Sequence, residues 1–199
     1  MALLMDGAGS WGCGAEAARW FRERLDRAAA SWYELSLDDL AVALLRIRRE
    51  VPPEMADEDC GWDFSVAALL VRDEVVHVTG LGSFSAVLVD GEGTKVLMAP
   101  VTLADRLVQE GAMTEAQARQ FPHGDIIANP AFGPGEGVLP GPRAFSVRPG
   151  NRILVGDRRL ARTIAQDPDL ASLSDPVRIR DRVEQHGGIS LATAVLEIR

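Results

Sequence analysis

The segment from Phe64 to Met98 constrains the fold more than any other part of the chain. Its residues run as an apolar strand, Phe64 to Val71, turn at Arg72-Asp73-Glu74 and return as a second strand, Val75 to Thr79. After Gly80-Leu81-Gly82-Ser83 a third strand spans Phe84 to Val89, and Asp90-Gly91-Glu92-Gly93 leads into a fourth, Thr94 to Met98. Connections this short join antiparallel strands, because a parallel pair needs a crossover of a dozen residues or more. The spacing predicts an antiparallel meander in which the first three strands are neighbours in one sheet.

Helices flank this block. In Ala15 to Ala30 the apolar residues Ala17, Ala18, Phe21, Leu25, Ala28 and Ala29 share one face at helical spacing, with Arg22/Asp26 and Glu23/Arg27 as i,i+4 pairs elsewhere. Ser36-Leu37-Asp38-Asp39 reads as a capped start to a second helix through Arg48, which Pro52-Pro53 stops. Two helices therefore follow each other with no strand between. Further on, Leu103 to Glu110 and Thr114 to Phe121 read as short helices. Between Ala128 and Pro142 eight of fifteen residues are Gly or Pro, the mark of a long surface loop. The remainder reads as a strand (Arg152 to Val155), a helix (Arg158 to Ala165), a helix (Pro176 to His186) and a closing strand (Leu191 to Ile198). No repeat or composition shift divides residues 1–199, so a single domain is expected.

Composition narrows the function. The 199 residues are 47% hydrophobic and 25% charged, enough to build one core without a metal or disulfide framework. Cys13 and Cys60 are the only cysteines, and His77, His123 and His186 are scattered, so no zinc-type spacing is present. A formal charge of −8 offers no basic surface to a phosphate backbone and repels anionic membranes, so neither nucleic acid nor membrane is expected as a partner. The opening Met1 to Met5 is too short for a signal sequence, and no apolar run reaches the ~20 residues of a membrane helix. A soluble, cytoplasmic protein is the expectation.

The stretch Gly7-x-Gly9-x-x-Gly12 follows a short apolar strand and precedes a helix, which formally meets a dinucleotide-binding fingerprint. Against that reading, Asp6 would set a carboxylate beside a pyrophosphate, and a helix stands where a βαβ unit needs a second parallel strand. A nucleotide-binding module stays as one alternative; glycines that only turn the chain from strand to helix are another. In the third, Asp6 is a strand-end carboxylate and the glycines let carbonyls approach a hard divalent cation, magnesium or manganese.

Leu4-Met5-Asp6-Gly7-Ala8-Gly9-Ser10, then Gly12 and Gly14-Ala15-Glu16-Ala17-Ala18, resembles the Asp-Gly-x-Gly-Gly metal motif and following helix of the metal-dependent protein phosphatases of the 2C type (PPM). Val66 to Val89 is similar to the family's two central strands around Gly-Asp-Ser-Arg, here Gly80-Leu81-Gly82-Ser83. Thr102 to Ala118 resembles a helix followed by "glycine, x, isoleucine-threonine, x, glutamate-glutamate-alanine", and Pro122-His123 to Gly133 matches the next segment. Arg148-Pro149-Gly150 through Gly156-Asp157 looks like "proline-glycine-aspartate, x, apolar run, serine-aspartate-glycine". Ser190 to Ile198 aligns with "aspartate-asparagine-alanine-threonine" and its final strand. The resemblance implies an α+β fold, a four-layer α-β-β-α sandwich of two antiparallel sheets.

It also implies chemistry. In that family two metal ions share the first aspartate and activate a bridging water against a phosphoserine or phosphothreonine. Asp6 matches the shared aspartate, Gly7 the carbonyl ligand and Asp157 the later aspartate, so Asp6 and Asp157 are expected within a few ångströms of each other. Other positions depart: Ser190 and Leu191 replace the terminal aspartate and asparagine, Leu81 replaces the aspartate of Gly-Asp-Ser-Arg, and Arg158 and Arg159 follow Asp157 in place of glycine and an apolar residue. The family's first strands, with a phosphate-binding arginine and acidic residues, are expected to be absent before Asp6. These departures point to a degenerate domain that regulates or binds a phosphoprotein or signalling partner, with weak magnesium or manganese binding at most. The alternative is an active Mg/Mn-dependent serine/threonine phosphatase completed by Asp57, Glu58, Asp59 or Asp63.

The same residues have structural readings. Asp6 can cap the following turn and Asp157 the helix after it. His77 reads as a core or edge histidine, His123 as a loop residue and His186 as a helix C-terminal cation. Cys13 reads as a small buried residue. Trp11, Trp20, Trp32 and Trp62 lack the interleaved basic residues of a nucleic-acid platform.

Overall fold

Strand β2 (Asp63–Arg72) explains why its sequence shows no polar alternation: both of its faces are covered. Val66 and Ala68 pack outward against α1 (Cys13–Ala28) and α2 (Leu37–Arg49), together with Phe21, Leu25, Leu40 and Leu44. Ala67 and Leu69 point the other way, into a second cluster with Val76, Val78, Phe84, Ala86, Leu88 and Ile153 between the two sheets. A third cluster lies on the far side, where Val87 and Leu154 meet Leu160 and Ile164 of α5 (Leu160–Gln166) and Ile179 and Val183 of α6 (Pro176–Gln185). Three apolar layers separated by two sheets give the expected α-β-β-α sandwich. This computed structural model describes residues 2–8, 13–28, 36–50, 63–124, 126–127, 142–186 and 192–199.

The first sheet has the order β1 (Ala2–Ala8), β2, β3 (Val75–Leu81), β6 (Arg143–Ser146) and the second β5 (Gly93–Met98), β4 (Phe84–Asp90), β7 (Arg152–Asp157), β8 (Ala194–Glu197). Every pairing is antiparallel. β2 and β3 close as a two-residue hairpin in which Asp73 and Glu74 both take positive φ, 47° and 60°, the geometry that matches the twist of the flanking strands. Asp90 closes the other hairpin by accepting from the amides of Glu92 and Gly93.

The meander reading needs one correction. β3 and β4 are not partners; the chain leaves the first sheet at Gly82-Ser83 and enters the second, and β6 takes the edge of β3 instead. Gly82 has φ +77°, and a Cβ there would stand 2.9 Å from Cα of Ser65, so the crossing requires glycine. The two sheet faces present the same apolar alternation, which is why spacing alone cannot tell a hairpin from a change of sheet.

The helix starts follow their local signals. Ser36 and Asp39 form a reciprocal capping box at α2, and Thr102/Asp105 and Thr114/Gln117 do the same at α3 (Leu103–Gln109) and α4 (Glu115–Ala118). Asp39 accepts from the Ser36 hydroxyl and amide, which hold its carboxyl below the usual carboxylate range. The Gly/Pro-rich loop of 128–142 lies, but for Pro142, outside the described residues. No described helix is long and apolar enough to cross a membrane.

Candidate functional site

Asp6 sits near the end of β1, opposite Ser65 of β2. The Ser65 hydroxyl, buried, accepts from the amide of Ser83 at 2.9 Å, which fixes the start of β4. The next residue, Phe84, pairs with Asp157 at the end of β7. These links carry the chain from one sheet to the other at a single end of the sandwich.

A second path closes there too. Oδ2 of Asp6 accepts from the amide of Ala192 at 2.9 Å, a contact between residues at opposite ends of the sequence. The β7–β8 ladder ends at Val155 and Ala194, and a Cβ on Gly156 would lie 3.4 Å from Oγ1 of Thr193. Asp6 is thus tied to the segment that leads into β8, and Asp157 lies at the end of β7, the strand that β8 pairs with. Gly7 is needed for its size: a Cβ on it would approach the carbonyl carbon of Gly14 to 2.6 Å, so the first turn of α1 packs directly on β1.

Asp157 is 3% exposed, and its Oδ1 accepts from the amide of Arg159 at 2.7 Å. That bond shapes the turn before α5; Arg159, not Asp157, holds the N-cap position. Arg158 is anchored through its carbonyl, which accepts from the hydroxyl of Ser85 at 3.1 Å. Leu81 is 6% exposed and packs into the cluster between the first sheet and its helices. A carboxylate at that position would be desolvated by the core. Ser190, Leu191, Asp57, Glu58 and Asp59, and the side chain of Asp63, lie outside what is described.

A two-metal centre requires several oxygen donors converging on each cation. Among the described residues no group of three or more His, Cys, Asp or Glu side chains could hold a metal ion. Of the residues that the resemblance puts at a metal centre, the structure describes Asp6, Gly7 and Asp157, and Asp6 and Asp157 each accept from a backbone amide with one carboxylate oxygen.

Other sequence readings resolve individually. Asp6 accepts from the remote Ala192, while residues 9–12 of the turn after it lie outside the described residues. Cys13 is half-buried against the helix-side core, yet it is disulfide-bonded and carries no free thiol, so it is not merely a small packing residue. His77 lies half-buried on β3, His123 stands edge-on to Phe121, and His186 is the C-cap of α6. The glycine fingerprint gains no support as a dinucleotide motif: β1 pairs antiparallel with β2, and among the described residues no βαβ unit surrounds it. Sequence reasoning missed Ser65 and Ser85, which tie the site together; their signal was a lone hydroxyl inside an apolar strand.

No family model and no curated protein matches the chain. Solved structures do. The serine/threonine phosphatase of S. agalactiae superposes with a TM-score of 0.77, at 19% identity over 97% of this chain and 84% of that one. Stp1 of Staphylococcus aureus gives 0.67 at 17% identity, over 99% and 84% of the two chains. The catalytic domain of the phosphatase PstP, solved with 2 manganese ions, gives 0.66 at 21% identity, over 97% and 84%. The chain thus has the fold of the serine/threonine phosphatases of the 2C type.

Proposed function

We propose that this chain is a protein phosphatase 2C-like domain with a degenerate centre, weak or absent catalysis, and a regulatory or binding role toward a phosphoprotein or signalling partner. The observation that carries this reading is Leu81, a core side chain packed where the resemblance expects a carboxylate; Asp6 and Asp157, the two retained aspartates, each accept from a backbone amide. Arg158 adds a cation next to Asp157 in the sequence. Ser190, a neutral hydroxyl, stands where an anionic ligand is expected. Magnesium or manganese, if held at all by Asp6, the Gly7 carbonyl and Asp157, is then held weakly. The experiment is a manganese titration with p-nitrophenyl phosphate turnover, in which little or no turnover is expected at millimolar metal.

The rival reading, an active metal-dependent serine/threonine phosphatase, draws on the likeness of fold over nearly the whole chain and on the retention of Asp6 and Asp157. Robust turnover abolished by Asp6→Ala establishes it and removes the degenerate reading.

A further inference from the structure

Cys13 is the first residue of α1 and carries a disulfide. The chain has two cysteines, so within it the bond can close only with Cys60, which lies outside the described residues. The described elements bring the two positions within reach. Gly14, next to Cys13, sits against Gly7, where an added Cβ would meet its carbonyl carbon at 2.6 Å. Gly7 in turn pairs with Phe64, and Ala8 with Asp63, at the last rungs of the β1–β2 ladder. Cys60 stands three positions before Asp63, a tether of at most about 10 Å, and a disulfide needs Cα atoms within about 7 Å of each other. The bond therefore clasps the mouth of the excursion that leaves β1, forms α1 and α2 and returns as β2.

Other contacts already hold that excursion. Phe21 and Leu25 of α1 and Leu40 and Leu44 of α2 are buried against Val66 and Ala68 of β2, and seven paired positions join β1 to β2. Breaking the clasp thus leaves the sandwich standing and acts on the strand end that carries Asp6 and Gly7. The setting of Cys13 favours breaking it. The first amides of a helix lack partners within it, and the 16 residues of α1 add their dipole, so negative charge on this sulfur is stabilised, with Glu16 in the same turn opposing. A stabilised thiolate is a good leaving group, and Cys13 is half-buried rather than sealed in the core.

We propose that the Cys13 disulfide is a reversible redox site, opened in the folded protein by a thiol reductant, and that opening it loosens the Asp6 end of the first sheet. The attacking thiolate bonds to Sγ of Cys60 and expels Cys13 as a thiolate. A second thiolate then attacks the mixed disulfide and releases Cys60, so the protein gains two electrons and the two reductant thiols leave as their own disulfide. The site does not rest on the reading of the centre given above.

The test uses the full chain, oxidised, with thiols counted by Ellman's reagent. The oxidised protein should show no free thiol and should give a non-reducing digest in which the peptides of Cys13 and Cys60 are joined. In millimolar reduced glutathione it should release both thiols with its circular dichroism unchanged, whereas a purely structural disulfide resists that pool. Amide exchange at Gly7, Ala8, Phe64 and the first turn of α1 should then quicken about tenfold or more, with β7 and α5 unmoved. The urea midpoint should fall by about 1–2 M. Cys13→Ser should show the reduced behaviour from the outset and ignore glutathione, and Cys60→Ser gives the same readout should the first variant fail to fold. Free thiols in the oxidised protein, reduction only on unfolding, exchange that is unchanged or quickens throughout, or loss of the fold in both variants overturns the proposal.

Discussion

Replacing Asp6 by alanine removes the acceptor for the Ala192 amide, the 2.9 Å bond that ties the end of β1 to the start of the closing strand. A hydrogen bond to an ionised group contributes about 1.5–3 kcal/mol net. Asp6 is only half-buried, so water recovers part of the loss and about 1.5 kcal/mol is expected. With a urea m-value of about 2 kcal/mol/M for a chain of this size, the unfolding midpoint should fall by about 0.7 M. Asp6→Asn keeps a neutral acceptor and should lose about half as much. Both variants and the wild type are compared in urea with and without millimolar manganese. In the degenerate reading the three midpoints keep their spacing in either condition. A metal ligand behaves differently: manganese would raise the wild-type midpoint by mass action and leave Asp6→Ala unmoved. That result, or an Asp6→Ala variant as stable as wild type without metal, would refute the argument that Asp6 serves as a structural tie.

Leu81→Asp, which restores the carboxylate expected by resemblance, should cost about 3 kcal/mol or more by setting an unpaired charge in the helix-side core, and should confer no manganese-dependent turnover; chemical denaturation and the phosphoester assay check the two halves. Gly82→Ala should cost about 2–3 kcal/mol, because φ is +77° and the added Cβ meets Ser65, with the loss read as a lowered thermal midpoint. Asp39 has its carboxyl pKa lowered in the folded state, so its contribution is present above the ordinary carboxylate pKa and is lost as pH falls through the lowered value. The stability gap between wild type and Ser36→Ala should therefore be open at neutral pH and narrow in acid below the usual carboxylate range, as followed by thermal unfolding across pH.

What the sequence determined by itself is local. The α2 start was legible because Ser36 and Asp39 satisfy amides three residues away, and the β2–β3 hairpin because the short turn Arg72-Asp73-Glu74 separates two apolar runs, a turn the structure narrows to Asp73-Glu74. The helical stripe of α1 fixed which face is buried, since the period of the helix alone places Ala17, Phe21 and Leu25 together. The α+β sandwich and the retained pair Asp6 and Asp157 came from resemblance spread along the chain rather than from any one spacing. Tertiary structure decided the rest. Alternation reads the same whichever sheet a strand joins, so only packing could show that the chain changes sheets at Gly82. β6 escaped notice because Arg143–Ser146 is a short, largely exposed edge strand whose existence depends on the free edge of β3. The bond from Asp6 to Ala192 joins residues that nothing local relates. Periodicity and capping act over a few residues, whereas closing the sandwich sets groups from distant segments side by side, and that proximity is what assigns the carboxylates their partners.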